Sequence, residues 1–428
     1  MGIYGALQTA VTGMAAQSFA LENISGNIAN SQTTGYKRME TGFIDLIPDA
    51  AVGRQVPGAV LAYSRSTNDV RGDIITSPTG THVALNGSGF FVVAEKTGVS
   101  DGQSVFGEAN FYTRRGDFEM DREGYLYNGA GYYLKGVPIN TSTGNVSGSV
   151  PEMIKVSNGL IPAQSTQRID YQLNLPAQPA VGLLTAGVSD PDFLEQTVEG
   201  GAITVYSPNG AAVSVEMRWG KTSDAPDTWQ LYSMENSDPQ EWSAVAGAQF
   251  VFEDGVLQSP VTSAEPLRID IPNLTVNGIE VGNVELNFGT GGLTQFDNAN
   301  GRASVSTLNQ DGYPAGSFMS VAINDSGRVV ATYSNGKQIE LYQLVTANFN
   351  AENQLKRLDG GIYASTAASG EAIYSTDGGV TGGALESSNT DISEEFTKLI
   401  VTQQAYAAGT RIVSTSDEML QEALNMMR

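Results

Sequence analysis

Two stretches at opposite ends of this chain carry apolar residues at heptad spacing and, over much of their length, little charge. In the first, Leu7, Val11, Met14, Leu21 and Ile28 fall on one a/d line, interrupted by Ser18 and Ser25. In the second the line is Ile392, Phe396, Leu399, Gln403, Tyr406, Thr410, Val413, Asp417, Leu420, Leu424 and Met427. Alternating steps of four and three are the coiled-coil pattern. From Met1 to Tyr36 the charged side chain is Glu22; from Phe396 to Ser416 they are Lys398 and Arg411. A water-facing helix shows charge opposite its apolar stripe. These predicted helices show Gln, Ser, Thr, Ala and Gly instead, the pattern of helices with protein on every side. Two readings stay open from the pattern: a helical pair within one chain, or seams made with other copies.

Helix propensity adds to this. Gly5, Gly13 and Gly26 lie inside the first stretch and Gly409 inside the second. Each costs roughly 1 kcal/mol relative to Ala. Such helices draw their stability from packing, so both ends are expected to order only when partners arrive.

The chain between them is long enough for real cores. With 428 residues, 40% of them hydrophobic, the prior is roughly three domains. The formal net charge is −23 and the sequence pI about 4.3. That argues against nucleic acid and anionic membrane as partners, since neither attracts an acidic chain. There is no cysteine, which excludes disulfides and thiolate metal sites. The N-terminus has no basic region followed by a continuous apolar run, and nothing approaches the roughly 18 apolar residues of a membrane span. Export without a cleaved signal is therefore expected if the chain leaves the cell.

From Gly72 onward the pattern is β. Val83–Val93 reads as strand, Gly-rich turn, strand; Phe111–Arg115, Asp117–Met120 and Tyr125–Tyr127 read as short strands. Val205–Val213 is a hairpin candidate turning at Asn209-Gly210. Val213–Trp219 alternates as a half-buried strand does, and Trp219, Trp229 and Trp242 are expected in the core of that region. The strongest hairpin signal is Val329–Tyr333, Ser334-Asn-Gly336, then Ile339–Leu344. Ala364–Gly383, rich in Ser, Gly and Thr, reads as a flexible connector. Asp391 with Glu394 forms an N-cap and N3 pair for the last helix.

Catalytic chemistry finds little support. The single histidine, His82, stands beside a turn without a motif around it. Asp190 with Asp192, and Asp121 with Glu123, read as solvated loop carboxylates rather than ligands or an acid–base pair. No dinucleotide, P-loop, zincin or EF-hand pattern occurs. No catalytic, cofactor or metal residue is assigned.

Asn27-Ile28-Ala29-Asn30-Ser-Gln-Thr-Thr34-Gly35-Tyr36-Lys37 resembles the N-terminal motif of bacterial flagellar axial proteins, the rod and hook subunits. Leu385–Glu395 and Ser414–Leu420 resemble their C-terminal motifs, and Leu85–Val93 with Tyr112–Phe118 and Gly124–Tyr127 their shared β domain. Gln310–Gly316, Gly327 and Ser334-Asn-Gly336 look like hook subunits, as does the length of the insertion after Pro151; a distal rod subunit is the alternative. One departure is Gln404–Gly409, where relatives usually carry a basic residue and fewer small ones.

The resemblance implies a mainly β body of two barrel- or sandwich-like domains, with the terminal helices forming a coiled-coil domain. It divides the chain into residues 1–30 with 390–428 as that helical domain, 31–71 with 360–389 as connecting segment, 72–150 with 293–359 as inner β domain, and 151–292 as outer domain. It implies a homopolymer: a hollow flexible tube outside the cell, its channel lined by the terminal helices, passing torque without catalysis. Its implied partners are a hook cap, distal rod and hook–filament junction proteins, and the flagellar export apparatus, with no nucleic acid or membrane.

Overall fold

The computed structural model describes residues 3–46, 59–141, 143–260, 266–377 and 379–426. Met427 of the second seam lies outside them, as does part of the expected connecting segment. The chain divides into two compact units. Unit 1 holds residues 1–158, 319–332 and 338–428; unit 2 holds 159–318 and 333–337.

Unit 1 begins with helix α1 (Ile3–Ala29) and ends with helix α2 (Ile392–Met426). Asp391 caps α2 as expected: its Oδ1 accepts from Ser393 N (2.7 Å) and Glu394 N (3.2 Å). Glu394 does not reach back to complete a capping box; it turns to Arg38 and Lys398. After α1 the chain forms a two-stranded ribbon, β1 (Met39–Leu46) with β2 (Ala59–Ser66), in unbroken antiparallel register from Met39↔Ser66 to Leu46↔Ala59. Asn23 of α1 donates to Thr41 Oγ1 and Ser64 Oγ on this ribbon.

The β body of unit 1 is built on strand Phe90–Ser100, whose first residues are fully buried. It pairs with Tyr132–Pro138 on one side and Phe111–Thr113 on the other. Its core joins Phe90, Val92, Tyr112, Phe349 and Tyr363. The hairpin expected around Ser334-Asn-Gly336 forms, pairing Ala331 with Ile339 and Thr332 with Gln338. The expected flexible connector does not appear as one. Ile373–Ser375 pairs with Thr346–Asn348, Val380–Gly382 with Val83–Leu85, and Ala384–Glu386 with Ile74–Thr76. These strands are three residues long and their partners are distant, so local composition reads as loop.

Unit 2 packs two sheets around one apolar core. One is a meander of Val198–Tyr206, Ala212–Asp224, Asp227–Ser237, Gln240–Glu253 and Val256–Ser259. The other runs Leu267–Val276, Ile279–Gly289, Arg168–Asn174, Leu293–Thr294, with Ser304–Gln310 also on Arg168–Asn174. The turn at Asn209-Gly210 closes its hairpin, with Gly210 at φ 82°. Trp219 and Trp229 are wholly buried between the sheets, and Trp242 packs with Phe193 and Tyr232 in a second cluster. Trp219 Nε1 donates to Tyr171 Oη (2.8 Å), which donates to Gly200 O (2.6 Å). Unit 2 runs beyond the expected boundary at 292. Ser304–Gln310 pairs residue by residue with Arg168–Asn174, a long-range match that turn signals near Gly291 cannot reveal.

Candidate assembly surface

The motifs at the two chain ends meet in unit 1, and Asn27 is where they are joined. Its Nδ2 donates to Met39 O (2.8 Å) and Glu395 Oε2 (2.9 Å); its Oδ1 accepts from Met39 N (2.8 Å) and Tyr36 Oη (3.3 Å). An amide side chain offers two donors and two acceptor sites, and all four are used here. Asn30 donates to Gly26 O (2.8 Å) and accepts from Thr33 Oγ1 (3.2 Å), closing the end of α1. Gly35 has φ 66°, and a Cβ there would stand 2.8 Å from the Arg114 carbonyl carbon. Both facts require glycine. Tyr36 lies under the Arg357 guanidinium at 4.3 Å. Ile28 and Thr34 are half-buried and Ala29 is exposed.

One turn further, Glu386 holds a second junction that the sequence motif did not single out. Its carboxylate is 1% exposed and takes Lys37 Nζ and Gly72 N on one oxygen, Arg114 Nη1 on the other. Its backbone carbonyl accepts from Gly35 N (2.8 Å). Lys37 also donates to Val70 O (2.7 Å), and Arg114 lies over the Phe90 ring at 5.3 Å with its buried Nε unpartnered. Burial pushes the Lys37 ammonium below its usual range, opposed by the Glu386 carboxylate. Asn389 accepts from Arg38 N (2.7 Å) and donates to Val70 O (3.1 Å) and to both oxygens of Thr67. Arg38 in turn pairs with Glu394 at 2.9 Å. Lys37, Arg38, Arg114, Asn389 and Glu395 were likewise missed, because polar residues in a motif give no sign of which are buried together.

The helices run antiparallel, since Asn27 meets Glu395 while Met14 and Ala10 meet Gly409. The buried residues of α1 are Ala10, Ala16, Ala20, Ile24 and Asn27; those of α2 are Glu395, Thr402 and Ser416. This is not the apolar line read from the sequence. Leu7, Met14, Leu21, Leu399, Val413 and Leu420 lie beside it, half-buried. Val11, Ile392, Phe396, Tyr406 and Leu424 are exposed. Small residues line the contact because they let two helix backbones approach. A Cβ on Gly409 would come within 2.6 Å of Met14 Cγ. The larger apolar side chains are left facing outward.

A groove of about 470 Å³ opens between α1, β1 and α2, lined among others by Ile24, Met39, Phe43, Lys398, Val401 and Ala405. His82 accepts or donates one bond with Ser77 Oγ (2.7 Å). Asp121 accepts from two turn amides, and Asp190 from Gly187 N. Among the described residues no three His, Cys, Asp or Glu side chains are placed to hold a metal, and no helix is long and apolar enough to cross a membrane.

Four sequence families match along the chain. Residues 7–37 match "Flagella basal body rod protein", and 84–159 match "Flagellar hook protein FlgE/F/G D1 domain". Residues 174–313 match "Flagellar basal body protein FlaE D2 domain", and 381–426 match "Flagellar basal body rod FlgEFG protein C-terminal". The flagellar hook protein FlgE of Salmonella typhimurium strain LT2 is 32% identical over 426 residues, 97% of this chain and 98% of that protein. The chain belongs to the flagellar hook protein family. Hook proteins of Brucella suis biovar 1 (30% identical, the whole of both chains) and Escherichia coli K12 (29%, 98% of this chain and 100% of the relative) agree over the same extent. The crystal structure of Helicobacter pylori flagellar hook protein FlgE2 shares the fold, with a TM-score of 0.50 at 13% identity over 74% of this chain and 99% of that one. The hook family is a structural one within the flagellum, and Asn27 and Glu386, the residues at the centre of the two junctions, fall inside the two terminal matches.

Proposed function

We propose that this chain is a structural subunit of the bacterial flagellar hook. It polymerises into a hollow, flexible helical tube that carries motor torque from rod to filament and catalyses no reaction. What carries the reading is that likeness to hook proteins extends over nearly the whole chain, helices and β domains together. A distal rod subunit would share the ends and the inner β domain but be much shorter between them.

The finer parts of the reading are what the resemblance implies. The terminal helices line the channel, and copies meet along Leu7, Val11, Met14, Leu21 and Ile28 of α1 and Ile392, Phe396, Leu399, Tyr406, Val413, Leu420 and Leu424 of α2. The exposure of Val11, Phe396 and Leu424 in the single chain supports this, since such apolar area is costly in water. The rod, the hook cap and the hook–filament junction proteins meet the ends of the polymer. The subunit leaves the cell through the flagellar export apparatus, and the polymer stands outside the cell. Purified protein, induced to assemble and imaged by electron microscopy, decides the matter. Curved tubes are expected; straight rods would indicate a rod subunit, and no polymer would overturn the reading.

A further inference from the structure

Unit 2 holds a small cavity of its own. It measures about 260 Å³ and opens between the segment Val188–Leu194 and the start of strand Gln240–Glu253. Val188, Pro191 and Leu194 give it apolar walls, and the buried rings of Phe193 and Trp242 close its inner side. Ser189, Asp190 and Gln240, all exposed, form its rim. The segment is pinned in place: Gln196 Oε1 accepts from Thr185 N (2.9 Å) and Ala186 N (3.0 Å), and Asp190 Oδ2 from Gly187 N (2.7 Å). Trp242 is 5% exposed, yet its indole Nε1 has no hydrogen-bond partner. A buried donor without an acceptor is costly. Trp219 meets that need through Tyr171 Oη. Trp229 Nε1 is also unpartnered, but its ring is wholly buried in the core between the sheets. Trp242 instead lines a cavity that an outside molecule can enter. Its ring is braced by Phe193 at 5.8 Å and by the Arg218 guanidinium at 5.9 Å, which itself donates to Leu194 O and Thr197 O.

We propose that this cavity binds one neutral hexopyranose ring, with Trp242 Nε1 donating to one of its oxygens. Size comes first. Pockets for drug-sized ligands run to about 300–1,000 Å³, so this one takes a single ring. Charge then chooses among single rings. An ammonium compound has no acceptor to offer Nε1. A carboxylate or phosphate would enter beside Asp190, in a chain of net charge −23, with Arg218 already engaged. A hydrocarbon would leave Nε1 unmet. A pyranose supplies acceptor oxygens for Nε1 and hydroxyl donors for Asp190 and the Gln240 amide oxygen. The Asp190 carboxylate keeps acceptor sites beyond the one that Gly187 N fills. The C–H face of the sugar lies against Pro191 and Phe193, where apolar area is removed from water. The inference goes beyond the hook reading and does not depend on it, since no second copy enters the site.

Full-length protein, dispersed and isotope-labelled at the tryptophan indole nitrogen, is titrated with glucose, galactose, mannose and N-acetylglucosamine and followed by NMR. Trp242→Phe identifies the Trp242 signal by its loss. At least one sugar is expected to shift that signal saturably while those of Trp219 and Trp229 stay in place. Gln240→Ala, at an exposed position, is expected to weaken binding about tenfold, as the loss of one hydrogen bond implies, with the urea midpoint unchanged. Trp242→Phe keeps a ring but no N–H, and saturation transfer to the sugar is expected to vanish with it. The methyl glycoside of the same sugar separates two sources: equal binding marks the end residue of a glycan and lost binding marks the free sugar, and either supports the site. No shift with any of these sugars overturns the inference. So does sugar binding that survives both substitutions unchanged, or a stronger response of Trp242 to N-acetylneuraminate, choline or a proline-rich peptide.

Discussion

Glu386 shows how much a single buried carboxylate can carry. It satisfies Lys37, Arg114 and the Gly72 amide, three groups from separate parts of the chain, with almost no exposure to water. Taking one partner out of a buried ion pair leaves an uncompensated charge and costs about 3–5 kcal/mol. Glu386→Gln is therefore expected to lower stability by that order, read from the urea midpoint of unit 1's transition. The exposed pair Arg268–Glu285, at 3.6 Å, is the contrast: Glu285→Gln is expected to cost less than about 1 kcal/mol. Equal effects from the two substitutions would mean that burial does not set the strength of the Glu386 junction. Sequence reasoning picked out Asn27, Gly35 and Tyr36 as a motif but could not say that Asn27 faces Glu395 or that Gly35 lies against the Arg114 backbone. Those facts depend on residues far along the chain.

At the level of elements, the existence of α1 and α2 was legible from heptad spacing, and the capping role of Asp391 from its position. Which face of each helix meets the other was not. Apolar periodicity marks residues that avoid water, and in a chain that assembles these divide between contacts within one copy and contacts between copies. The intrachain contact went to alanines, Thr402, Gly409 and Ser416, which permit close approach. The start of α2 is tied to the ribbon root by Glu394, whose carboxyl is held below its ordinary range by hydrogen bonds from Lys398 and Arg38. A carboxylate with a depressed folded pKa contributes stability above its unfolded pKa and loses it as pH falls through the folded value. These pairs are half-exposed, so the contribution is about 1 kcal/mol at most. Protection of the Ser393–Lys398 amides, taken relative to their intrinsic exchange rate at each pH, is expected to fall as the pH falls below the ordinary carboxylate range. Glu394→Gln should show the lower protection already at neutral pH. Unchanged protection in both experiments would show that the first turn of α2 is held by its cap alone.

At the scale of the whole molecule, unit 2 is an insertion whose two ends lie side by side. Ile161 N donates to Gly316 O (2.9 Å) and Gly316 N to Ile161 O (3.1 Å), so the entering and leaving segments are already bridged. Replacing residues 162–315 by a short turn is expected to leave unit 1 folded, with its own cooperative transition; a chain without one would show that unit 1 depends on unit 2. The sequence by itself determined the terminal helices, the β character of the body, the principal hairpins, the tryptophan core and the family. All of these are written in local periodicity, turn chemistry or contiguous motifs. Only the tertiary structure decided where unit 2 ends, that Ile373–Ser375 and Val380–Gly382 are paired strands, that Glu386 is buried between two cations, and which helix faces meet. Each of those depends on partners outside the local segment, from Thr346–Asn348 against Ile373–Ser375 to Lys37 against Glu386, whose pairing energy leaves no trace in the neighbourhood of either one.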